Sequence, residues 1–222
     1  MPNIFDTLTD LPPFKGLSHE AMAAVVGKFR CDFRKYDAGA MIVEAGTPCR
    51  SLLFILSGSV RVSILLPNGL NVYHTLQAGC SIGTEYLFGR STCHPASVTA
   101  IDSVGTLEIS KADYMKILAS EQVCLFNFLN FLALKAQSGL ENIIDCKGHS
   151  PADFIKEVVK VTTDRRSSDI TVSAVSGNIP SVIHYSDTDF INSLMLLRDA
   201  GIVEFDLRTI KILSRDKLIL HK

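Results

Sequence analysis

The chain has 222 residues, of which 47% are hydrophobic and 20% charged, enough apolar material for a packed core and too much for a disordered chain. A formal net charge of -1 gives no global electrostatic pull towards nucleic acid or anionic lipid. Six dispersed cysteines without a C-x-x-C pair argue against a disulfide framework or a zinc ribbon.

The start, Met1 to Phe14, lacks a basic stretch followed by an apolar one, so no signal peptide is expected. Ser18 is placed to cap a helix with Glu20 in its first turn, and Met22, Val25, Val26 and Phe29 follow at helical spacing. From Cys31 to Ser110 the texture changes to short β-rich runs: 41–43, 52–56, 60–64, 72–76 and 97–100. They are punctuated by Gly39, Gly46, Gly58, Asn68-Gly69 and Gly79. Regular short strands with turns between them predict a sandwich or barrel-like roll, and Asn68-Gly69 predicts a hairpin.

After Lys111 the period becomes helical. Val123, Phe126, Leu129, Leu132, Leu140, Ile143 and Ile144 form a long apolar stripe, widened by Leu125, Phe128, Phe131 and Leu134. The most apolar run, Val123 to Ala136, is too short for a membrane span, so no membrane partner and a cytoplasmic location are expected. A partner helix in a symmetric homodimer is the simplest cover, with Phe128, Leu132, Leu140 and Ile144 as its contact residues. Core within one domain would bury the same stripe.

Gly148-His149-Ser150-Pro151 reads as a hinge, since a proline ends one helix and can open the next. Beyond it, Phe154, Ile155, Val158 and Val159 predict a helix and Ile170-Thr171-Val172 a short strand. Phe190, Leu194 and Leu197 predict a second helix ended by Gly201, and 202–205 with 209–213 a hairpin. This gives three segments: a roll at 1–120, a long helix at 121–147 and a small module at 148–222.

Gly39, Glu44-Ala45-Gly46, Phe54 to Val62, Gly79 and Ser81-Ile82-Gly83 mark the roll, and Ser186 to Leu197 followed by Arg198-Asp199-Ala200-Gly201-Ile202-Val203 the C-terminal end. On these residues the sequence, over nearly its whole length, resembles the CRP/FNR family of bacterial transcription regulators. The resemblance implies an α+β chain: an N-terminal antiparallel β-roll of the cyclic-nucleotide-binding kind, a double-stranded β-helix. A dimerisation helix and a C-terminal winged helix-turn-helix follow. It also implies an effector-responsive regulator that binds double-stranded DNA as a homodimer.

The resemblance places an effector site at Gly83, Thr84, Glu85, Arg90, His94 and Ala96. Cyclic-nucleotide members hold the phosphate with an arginine, a serine and backbone N–H groups, and the ribose with a glutamate. Here His94 falls at the arginine position, Pro95 at the serine and Thr84 at the glutamate, with Glu85 one residue late. A proline offers no donor and a neutral histidine one, so the effector is expected to be a small molecule other than cyclic AMP. Cys80, Cys93 and His94 share the region, but a core cysteine and a turn histidine account for them. Neither a metal nor another cofactor is expected.

For DNA the resemblance implies Ser186, Thr188, Asn192 and Ser193 on the reading helix, with Arg198, Arg208 and Lys211 towards phosphates. Asp187 and Asn192 stand where arginines are usual. Residues 149–222 carry ten Lys/Arg against ten Asp/Glu, so the module has no net basic field. A module that keeps the fold but serves as a protein-interaction element is the alternative. Gly-x-Ser-x-Gly, His-Glu-x-x-His and Walker A patterns are absent, and no histidine sits in a recognisable catalytic set, so no enzyme is expected.

Overall fold

The computed structural model describes residues 8–9, 11–145 and 150–221, with side chains at all of these except 138–145. By contact the chain divides into two compact units: Met1–Val60 with Leu76–Gln137, and Arg61–Thr75 with Ser138–Lys222.

The first unit is antiparallel β with helices on one side. Its strands are β1 (Cys31–Tyr36), β2 (Met41–Val43) and β3 (Ser51–Ser57); β4 (Ser59–Leu65) and β5 (Leu70–Gln77) lie largely in the second unit. β6 (Ser81–Ile82), β7 (Ser97–Ala100) and β8 (Val104–Ser110) complete it. One sheet runs in the order β1-β8-β3-β6, and β2 pairs with β7. Gly58 turns β3 into β4 with φ +81, where an added Cβ would lie 2.5 Å from the Ser103 carbonyl oxygen. Only glycine meets both conditions.

Helix α1 (His19–Lys28) is capped by Ser18, whose hydroxyl accepts from the Ala21 N–H. Helices α2 (Lys111–Ser120) and α3 (Gln122–Asp145) follow β8, bent by 114° at their junction. Alternation in β3 and β8 sends Leu52, Phe54, Leu107 and Ile109 to the helical side. There they meet Leu11 and Phe14 from a 3₁₀ turn, Met22 and Val25 of α1, Tyr114 and Ile117 of α2, and Cys124 and Phe128 of α3. Burying each such side chain is worth about 1.5–3 kcal/mol. Asn127, the polar residue inside the apolar run, donates to the Pro13 and Lys15 carbonyl oxygens and ties α3 to the 3₁₀ turn.

The second unit contains helices α4 (Pro151–Thr162), α5 (Ile179–Val182), α6 (Asp187–Asp199) and α7 (Arg215–Leu220). Its strands are β9 (Ser168–Ala174), β10 (Val203–Phe205) and β11 (Thr209–Ile212). The order helix, strand, helix, hairpin follows the sequence expectation, with the addition of the one-turn α5, which Pro180 opens. Asp189 N–H donates to the Ser186 hydroxyl at the start of α6. Gly201, at φ +66, ends that helix, with Gly201 N–H donating to the Arg198 carbonyl oxygen.

Here the strands run β10-β11-β9-β5-β4, so the hairpin of residues 61–75 extends this unit's sheet. β5 pairs antiparallel with β9, Leu70 opposite Ala174 and Val72 opposite Val172. Leu70 and Val72 sit in one buried cluster with Ile155, Val159, Ile170, Phe190 and Leu194. Packing therefore divides the chain differently from the boundaries expected at 120 and 147, because a strand edge pairs through space regardless of its place in the sequence. Gly148 and His149 of the expected hinge lie outside the described residues.

Among the described residues no single helix is long and apolar enough to cross a membrane. Leu70→Ala is expected to cost about 2–5 kcal/mol, as for other large-to-small core substitutions. Urea unfolding should show that loss in the C-terminal unit, although Leu70 belongs to the roll in sequence.

Candidate effector site

The expected site residues fall on one loop system of the first unit. Gly83, at φ +79, caps a 3₁₀ turn, Thr84–Tyr86, that leads into the fully buried Leu87. Across from it the backbone of 46–49 runs against 92–94: Gly46 N–H donates to the His94 carbonyl, His94 N–H to the Thr47 carbonyl and Cys49 N–H to the Thr92 carbonyl. This ladder sets the His94 ring against Gly83. A Cβ at residue 83 would lie 2.8 Å from His94 Cε1 and 3.0 Å from Cys49 Sγ. The Cys49 thiol donates to the Gly83 carbonyl oxygen at 3.4 Å.

Gly83, His94 and Cys49 are therefore brought together; the cysteine was not among the expected residues, and nothing in its local sequence marks it. Thr84 is buried and its hydroxyl donates to Ser81 Oγ at 2.8 Å, so that hydroxyl is already engaged. Arg90 is exposed, Ala96 half-buried, and the Ser97 hydroxyl accepts from the Ala45 N–H. Burial pushes the His94 imidazole below its ordinary value, so it is neutral at pH 7 and supplies no fixed positive charge. Burial also raises the Cys49 thiol, which disfavours the thiolate.

The loop is joined to the long helix. Glu85 pairs with Lys135 of α3 at 3.5 Å, an exposed contact worth little by itself. Phe88 meets Phe128 edge to face, ring centroids 5.5 Å apart, and Phe128 meets Tyr114 in the same way at 5.7 Å. The Lys111 ammonium sits 4.8 Å from the Phe88 ring centre.

This placement corrects one expectation. Phe128 is 8% exposed and belongs to the core of its own unit, with Leu132 packed against it, so both face inward. The outward stripe of α3 is instead Leu125, Phe126 (62% exposed), Leu129 (50% exposed), Ala133 and Ala136. The side chains of Leu140 and Ile144 lie outside the described residues.

In the second unit, Ser186 caps α6, and Thr188 and Asn192 are exposed on it. Arg208 and Lys211 are exposed at the β10–β11 hairpin. Ser193 is turned inward, its hydroxyl accepting from the Ala152 N–H at 3.0 Å. The Arg198 guanidinium pairs with Asp199 at 3.2 Å and lies over the Phe205 ring. Among the described residues no group of three or more His, Cys, Asp or Glu side chains could hold a metal ion, and Cys31, Cys49, Cys80, Cys93 and Cys124 form no disulfide.

Residues 33–121 match the cyclic nucleotide-binding domain family. The Thermus thermophilus catabolite activator protein is similar in fold across 94% of this chain and 98% of its own, at 17% identity and a TM-score of 0.55. The sensor domain of the transcriptional regulator DNR from Pseudomonas aeruginosa aligns with 61% of this chain and 90% of its own, at 18% identity and a TM-score of 0.53. A cyclic nucleotide-binding domain from Methylobacillus flagellatus aligns with 66% of this chain and 86% of its own, at 18% identity and a TM-score of 0.54. Among curated proteins, glutaminase 1 of Bradyrhizobium diazoefficiens is 38% identical over 84 residues. That is 38% of this chain, and the chain spans only 13% of that relative.

Gly83→Ala is expected to cost about 1–3 kcal/mol by overpacking. Chemical denaturation should show it, because the added methyl meets the His94 ring and the Cys49 sulfur at a positive φ.

Proposed function

We propose that this chain is a cytoplasmic, effector-responsive, non-enzymatic transcription regulator that acts as a homodimer. In this reading the roll senses a small molecule other than cyclic AMP, α3 pairs the two copies, and residues 150–221 form a winged-helix module that binds double-stranded DNA. The observation that carries it is the contact of the effector loop with the long helix through Phe88 and Phe128. A ligand that shifts the loop must repack those rings against α3, and packed rings have few alternative arrangements. Of the relatives in fold named above, the DNR protein is described as a transcriptional regulator and its aligned part as a sensor domain.

The choice of effector follows from charge. A cyclic nucleotide needs a cation for its phosphate, and here the position holds a neutral, half-buried His94 beside a proline. Dimerisation follows from the outward stripe. Phe126, Leu129, Ala133 and Ala136 recur with alternating three- and four-residue steps, continued in sequence by Leu140 and Ile143. That is the spacing of a two-helix seam, and the alanines let two backbones approach closely. For the module, the order of α4, β9, α5, α6 and the β10–β11 hairpin fits a winged helix, with Arg208 and Lys211 exposed at the hairpin for phosphates. A second reading, docking to a protein, is favoured by the apolar exposure of α6 at Ile191, Met195 and Leu196 (71% exposed) beside acidic Asp187 and Asp189.

Leu129→Glu should convert the dimer to a folded monomer in sedimentation velocity, because it places a charge in the seam while leaving the Phe128 core intact. Selection from a random duplex pool at low salt should recover a palindrome with half-sites about one helical turn apart. Replacing Arg208 and Lys211 with alanine should then flatten the salt dependence of binding by roughly one unit of log–log slope per residue. If no sequence is recovered with or without cell extract as an effector source, the protein-docking reading replaces the DNA reading.

A further inference from the structure

The hairpin of residues 61–75 has a role that neither the roll nor the module explains alone. β5 completes the C-terminal sheet, and its buried row runs Leu70, Val72, His74 along one face of the strand. The first two positions are apolar, as a shared core requires. The third is a histidine only 5% exposed, and its Nδ1 has no hydrogen-bond partner.

The pairing is irregular at that point. Tyr73 lies opposite Thr171 and Thr75 opposite Ser168, so between these pairs the single residue His74 faces two of β9, Asp169 and Ile170, and Asp169 takes φ +48 in the bulge. The charged groups acting on His74 come from two elements packed nearby. Asp164 follows α4 and Arg215 opens α7. The Arg215 guanidinium is already engaged, with Nε donating to Thr163 Oγ1 at 2.8 Å and a terminal nitrogen to the Thr163 carbonyl at 3.0 Å. It cannot accept a proton or serve as a counterion for an imidazolium, and its charge opposes one. Asp164 pulls the other way but is the lesser influence beside burial.

We propose that residues 61–75 are a proton-sensitive clasp: β5 holds β9 and the C-terminal core closed while His74 is neutral, and charging His74 opens the β5–β9 seam. The proposal does not depend on what the module binds.

The sign follows from linkage. Burial lowers the folded-state value of His74 from 6.5 to about 4, so the closed seam binds fewer protons than the open one. The closed form is favoured in full above about pH 6.5. It loses ground as the pH falls, by roughly tenfold per pH unit until the folded value is reached, so the open-to-closed ratio at pH 5 is about thirtyfold higher than at neutral pH. The bulge concentrates the effect, because the ladder there has already lost its regular pairing.

Amide hydrogen exchange on the full chain, corrected for intrinsic rate, tests this at pH 7.5 and pH 5.0. The expected result is a loss of protection at pH 5.0 of about thirtyfold, confined to 70–75 and 168–174, with β3 and β8 unchanged. In His74→Phe, which keeps a ring without a titratable nitrogen, the seam should exchange equally at both pH values. If His74→Phe does not fold, the pair Tyr73→Cys and Thr171→Cys keeps His74 and locks the register. Its oxidised form should lose the acid response and regain it with reductant. Protection that does not change with pH in the wild-type seam overturns the proposal. So does a loss of protection spread equally over β3 and β8, or an acid response that survives in His74→Phe or in the oxidised pair.

Discussion

The contact on which the first unit depends is the edge-to-face run of Phe88, Phe128 and Tyr114. Phe128 fills the point where the loop that carries Phe88, α2 and α3 meet, and the surrounding core reaches Leu52, Phe54, Leu107 and Ile109 of the sheet. Such ring pairs add roughly 0.5–1.5 kcal/mol beyond the area they bury, and their geometry is directional. A loop that carries Phe88 is therefore not free to move independently of α3.

That arrangement also explains why α3 is apolar on more than one side. Its inner face closes the core of the first unit, while Phe126, Leu129, Ala133 and Ala136 face outward. Only the outer face needs a partner. In the second unit the same economy of surface appears in the hairpin, where Leu70 and Val72 complete a core built from residues between Ile155 and Leu218.

Much of the roll was legible in the sequence because turn chemistry is local. The runs at 41–43, 52–56, 60–64, 72–76 and 97–100 all became strands, and the glycines between them take positive φ. β1 and β8 were not singled out. β1 is mostly polar and exposed, so its membership in the sheet comes from pairing with β8 rather than from its own pattern. The inward face of α3 was assigned to the wrong contact at Phe128 and Leu132, because an all-round apolar helix has no periodicity that separates two buried faces. The role of Cys49 and the pairing of β5 with β9 had no local signal either, since both depend on segments brought together from far along the chain. Ser193 reads as an exposed helix residue until α4 is placed against it.

The central claim is that the loop proposed to bind the effector and the long helix are one mechanical element joined by the two rings. A double-mutant cycle on folding free energy with Phe88→Ala, Phe128→Ala and the pair measures that joint directly. The account predicts a coupling of roughly 0.5–1.5 kcal/mol between the two substitutions. Strict additivity would contradict it, because the loop and helix would then rest on the same core without acting on each other.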